Sequence, residues 1–109
     1  MAYAPDFTTA PDPVHFYILG SHVFYDNIAV GPANVDGLAA ASGIHSTHAA
    51  QLTEAWNASK SHKDRAGYAA EITVAHWWAQ ATAKAAIELA EGRLEVGVAT
   101  IASASIEGV

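Results

Sequence analysis

The longest periodic stretch of the chain runs from Asp64 to Glu91, DRAGYAAEITVAHWWAQATAKAAIELAE. His76, Gln80, Lys84 and Glu88 fall four apart, so a helix would gather them on one narrow stripe. Most of the rest of the circumference is Ala, Ile, Val, Leu and Trp. Ala is the strongest helix former, Leu, Glu, Gln and Lys follow closely, and no Pro interrupts the run. Ser61 and Asp64 have the spacing of a capping box at the start. Gly92 can end the helix in a left-handed conformation, and Arg93 sits where a cation is favoured. A helix that is apolar around most of its surface is buried around most of its surface. This one is therefore either central to the fold or turned partly toward another chain.

Upstream, Asn34 caps a short predicted helix over Val35–Ser42 that Gly43 closes. A second helix is predicted from Ser46 to Ser59, with Ala49, Leu52, Ala55 and Trp56 on one side. Ser59 to Lys63 form a polar loop into the long helix, and so short a loop makes the two helices antiparallel neighbours.

Val14 to Val30 is dense in aromatic and β-branched residues, and two patterns compete there. Gly20-Ser21 between VHFYIL and HVFY suits a type II′ hairpin turn, with a second turn at Asp26-Asn27. Asp12 followed by Pro13 is instead a helix start. The residue types favour strands, and strands are expected. After Gly92 the period changes to two, with Leu94, Val96, Val98, Thr100, Ala102, Ala104 and Ile106 on alternate positions. That alternation predicts a half-buried strand or hairpin whose edge another chain could pair with. Residues 1–13 carry three Pro and no periodicity, and are expected to form an extended arm, the alternative being a disordered terminus. The expected fold is α+β: an antiparallel helix pair, dominated by the Ala-rich C-terminal helix, packed against β segments from both chain ends. Residues 14–109 make one small domain beyond the arm.

Composition narrows the function classes. Hydrophobic residues make up 51% of the chain, but Ala supplies nearly half of them, so the core is thinner than the percentage implies. The absence of Cys removes disulfides and thiolate metal sites. No apolar run is long enough to suggest a membrane span, and no basic segment followed by an apolar core marks a secretory signal. A net charge of −6 argues against binding nucleic acid through its phosphates. The first 59 residues hold Asp6, Asp12, Asp26, Asp36 and Glu54 without one Lys or Arg. Lys60, Lys63 and Arg65 then cluster, which suits a head-to-tail contact between a basic and an acidic surface.

Candidate chemistry is sparse. There are six His. His45 and His48, three apart, could join Glu54 or His62 in a nitrogen–oxygen zinc site, but no H-E-x-x-H is present. The expected reading is a solvated helix start, with no metal and no cofactor. His76 lies on the polar stripe beside Trp77 and Trp78 and reads as a partly exposed His rather than a general base. His15 and His22 read as cross-strand partners. No nucleophile elbow and no Gly-rich phosphate loop occurs. Adjacent helical residues point about 100° apart, so Trp77 and Trp78 cannot share one contact. One is expected in the core against the Trp56 helix and the other on a second surface, where Trp is enriched at binding hot spots; the alternative is that both are core. Tyr3 and Phe7 are expected to anchor the arm, on a neighbouring subunit in the sharper reading.

Trp56-Asn57-Ala58 at the turn between two helices resembles the helical-hairpin WXG secretion substrates, with Ala58 in place of the motif's Gly. The resemblance covers Val35 to Glu91 and implies a secreted helical-hairpin partner protein. The leading expectation is a non-enzymatic structural subunit of a homo-oligomer or larger assembly, such as a virion or shell component. Its interface would use Tyr3, Phe7, Trp77, Trp78, Lys60, Lys63 and Arg65. A small His-dependent or metal-dependent enzyme is the alternative from another class.

Overall fold

The signals around the long helix are all used. The computed structural model describes residues 6–97. In it α2 spans His62–Ala90. The Ser61 side chain accepts from the Asp64 N–H at 3.3 Å. At the other end Gly92 takes φ 69°. Its N–H donates to the Leu89 carbonyl at 3.1 Å, and the Arg93 N–H to the Glu88 carbonyl at 2.9 Å. Those are the two bonds of a Schellman cap. Arg93 also returns its guanidinium to Glu88 at 2.6 Å and to Glu91.

The two shorter helices expected before it are one. α1 runs unbroken over Val35–Ala58, with the Asn34 side chain accepting the Gly37 N–H at 2.6 Å. Gly43 sits inside α1 and does not end it. A helical Gly costs only about 1 kcal/mol against Ala, and packing on both sides of it, through Leu38 and then Ala49 and Leu52, outweighs that. The connection to α2 is also shorter than expected. It is Ser59–Ser61, so His62 and Lys63 belong to the first turn of α2. The two helices pack together as an antiparallel hairpin.

Both readings of the aromatic segment contain part of the answer. The Asp12 side chain accepts from the Val14 N–H at 3.1 Å, and Pro13 opens a single 3-10 turn over Pro13–His15. Strands follow at once: β1 Phe16–Leu19, β2 His22–Tyr25 and β3 Ile28–Pro32, antiparallel and in the order β1-β2-β3. Gly20 has φ 64° and Ser21 does not share the positive φ, which is the pattern of a type II′ turn. Asp26, at φ 54°, makes the second turn, a conformation that Asp tolerates.

From the C-terminal side the described residues contribute one bridge. Val96 pairs parallel with Ile18: the Ile18 N–H donates to Glu95 at 2.8 Å, and the Gly97 N–H donates back to Ile18. The rest of the alternating run to Ile106 lies outside the described residues.

The main core lies between the inner face of the sheet and the C-terminal half of α2. It joins Phe16, Val23 and Val30 to Leu38, Trp77, Ala81, Ala85 and Ala86. Thr82, also buried there, donates to the Trp78 carbonyl at 2.8 Å and so leaves no polar group unmet. The described part of the N-terminal arm covers this core. The Phe7 ring meets Trp77 edge-on at 5.4 Å, and Pro11 is fully buried. Lys84 Nζ donates to the Pro11 carbonyl at 2.7 Å. Phe7 thus has a partner within its own chain, while Tyr3 lies outside the described residues. A second, smaller cluster holds the far half of the hairpin. It consists of Ala49, Leu52 and Ala75, flanked by Tyr68 and Ile72.

Candidate functional site

The antiparallel hairpin sets α1 and α2 level with each other residue by residue. Ser42 Oγ donates to the Ala79 carbonyl at 2.9 Å. One turn along, the His45 imidazole stacks on Trp78 at 5.9 Å with the planes 27° apart. A further turn along, Ala49 and Ala75 share a cluster. This register opens a cleft of about 350 Å³ between the helices, lined by His45 and His48 from α1 and by Ala70, Glu71, Val74, Ala75 and Trp78 from α2. A second groove of about 570 Å³ continues it along α1, lined by Ala40, Gly43, Ile44, Thr47, His48 and Gln51.

The adjacent tryptophans part as helical geometry requires. Trp77 is 3% exposed and meets Phe7 and Tyr25, the latter edge-on at 5.1 Å. Trp78 is half-buried and turns its ring into the cleft. The His45 pKa is held below the ordinary histidine value, first by removal of water and then by its neighbour His48.

His45, His48 and Trp78 therefore share one site, joined there by Glu71 and Val74. Neither of the last two stands out in the sequence, because only the register between the helices brings them opposite the histidines. The zinc partners suggested by spacing do not meet there. His62 opens α2 at the tip of the hairpin, about 18 Å along the axis from the level of His48. Among the described residues no three His, Asp or Glu side chains are grouped so as to hold a metal ion. The cleft offers two imidazoles and one carboxylate against an apolar wall, with no hydroxyl or thiol among its lining residues. That set can recognise a partner, and its imidazoles and carboxylate are also groups that acid–base or covalent chemistry uses.

The other named residues lie elsewhere. Lys60 is exposed in the connection, Lys63 is exposed in the first turn of α2, and the Arg65 guanidinium lies 3.9 Å over the Trp56 ring. His76 is exposed near Phe7, in an open pocket beneath the arm. His15 is paired with Asp26 at 2.9 Å, and the His22 ring meets Ser21 Oγ at 3.1 Å.

The chain matches no protein-family model, no curated protein and no solved structure. Among the described residues no helix is long and apolar enough to cross a membrane.

Proposed function

We propose that this protein is a non-enzymatic subunit of a larger protein assembly, of the kind that builds a shell or virion, and that its helical hairpin meets another chain. The observation that carries the reading is a mismatch of length and core. α2 has 29 residues and is about 43 Å long. A compact domain of 109 residues has a radius of gyration of about 13 Å, and so a diameter of about 34 Å. The half of the hairpin away from the sheet is held by a buried cluster of two Ala and one Leu, with Tyr68 and Ile72 only half-buried against it. Each Ala buries little area, so an isolated hairpin of this kind gains little from its own packing. The apolar side chain of Ile44, 68% exposed, adds a surface that a partner would cover.

The alternative, a His-dependent enzyme, has only the cleft imidazoles in its favour. The secreted-hairpin alternative shares the partner-binding role. Light scattering on the full chain tests the proposal. A mass at least twice 11.4 kDa is expected. A monomer at about 100 μM, where a micromolar contact would be saturated, would overturn it.

A further inference from the structure

Two neighbouring grooves, one between the helices and one along α1, share His48 and form a single face of the hairpin. That face is unusually free of charge. From Ala40 to Gln51 in α1 and from Ala69 to Trp78 in α2, Glu71 is the only formally charged residue. Depletion of charge, with an aromatic present, marks the core of an interface rather than a solvated helix surface. The grooves span Ala40 to Gln51 of α1, about 17 Å of a hairpin about 20 Å wide, which would be the charge-poor centre of an interface of roughly 800 Å² per partner.

The face is also complementary to itself. Its α1 bank carries the imidazoles His45 and His48, and its α2 bank carries the carboxylate Glu71. The apolar groups Ile44, Val74 and Trp78 lie along it. A two-fold axis parallel to the helices would lay α1 of one copy over α2 of the other, with the opposed helices antiparallel. His48 is level with Val74, so it would come within about one turn of Glu71 of the second copy. An isologous contact needs a patch of this kind. We infer that this face is the contact surface between two copies of the chain, packed about such an axis so that their four helices form one bundle. The inference rests on the assembly reading above and names its partner and surface.

The test uses the chain's lack of Cys. Gln51→Cys and Ala70→Cys chains, mixed in equal amounts, should form a mixed cross-link with a short bis-maleimide. The same pair carrying Ile44→Glu should not. Ile44→Glu alone should keep the helical circular dichroism signal, because the side chain is already 68% exposed. It should weaken self-association by about 30-fold or more, as loss of a hot spot does. If the wild-type chain self-associates but Ile44→Glu leaves its mass unchanged and no mixed cross-link forms, this face is wrong while the assembly reading stands. If the wild-type chain is monomeric, both fall.

Discussion

Two neighbouring indoles of identical chemistry sit in different surroundings. Trp77 is enclosed by Phe7, Tyr25 and Trp78, at ring distances of 5.1 to 5.4 Å. Truncating it to Ala should destabilise the fold by about 3–5 kcal/mol, as removal of a buried aromatic does. Denaturant unfolding would measure this. Trp78→Ala should have less than half that effect on unfolding, because Trp78 is half-buried, and should instead reduce the solution mass. Equal losses with no change of mass would make both residues core. His45 offers a second probe. Its imidazole is partly desolvated against Trp78, lies one turn from His48 on α1 and faces Glu71 across the cleft, and its pKa is lowered. As pH falls below about 6.5 the unfolded imidazole takes up its proton first. The folded chain should therefore lose stability there and regain it as pH rises through the same window. His45→Gln should flatten this slope in unfolding measured between pH 5 and pH 7. An unchanged slope would show that other groups set it.

At the scale of elements, two helical glycines separate local propensity from packing. A Cβ at Gly43 would meet nothing within 4 Å. Gly43→Ala should therefore stabilise α1 by about 0.5–1 kcal/mol. A Cβ at Gly37 would lie 2.7 Å from the Pro32 ring and 3.0 Å from Asn34 Oδ1, the atom that caps the helix. Gly37→Ala should be destabilising despite the same gain in propensity, and thermal unfolding of the two variants should shift in opposite directions. The glycines also show what the sequence could reveal. Ser61, Asp64 and Gly92 act within one turn of themselves, so α2 was legible to within two residues at its start and one at its end. Gly20-Ser21 likewise announced its hairpin turn. Gly43 misled, because whether a glycine ends a helix depends on what packs beyond it. The α1 partner surface, from Leu38 to Leu52, is set by tertiary contacts that no local pattern encodes. The cleft was half legible for the same reason. His45, His48 and Trp78 stand out as residue types, whereas Glu71 and Val74 acquire a role only through the register of the two helices.

At the scale of the whole molecule, the two chain regions expected to serve a partner are bound differently to their own fold. Phe7 and Pro11 close one side of the Trp77 core. Deleting residues 1–11 should therefore lower the unfolding temperature, rather than weaken association alone. A truncated chain of unchanged thermal stability would return the arm to a purely external role. The basic group at the hairpin tip separates folding from association more sharply. Arg65 is held over Trp56, whereas Lys60 and Lys63 are exposed. Lys63 stands in the first turn of α2, where the partial positive charge of the helix end disfavours a cation. Lys63→Glu should thus stabilise the fold slightly, by about 0.3–1 kcal/mol. If the tip meets an acidic surface of a neighbouring chain, Lys60→Glu with Lys63→Glu should at the same time slow assembly at low salt. The difference from wild type should shrink near molar salt, where the screening length is about 3 Å. Stopped-flow light scattering against ionic strength would measure the assembly rate, and denaturant unfolding the stability. A variant that is more stable yet slower to assemble would place the basic tip in the association step. A variant that assembles at the wild-type rate at low salt would leave Lys60 and Lys63 as solvent-facing residues of a helix connection.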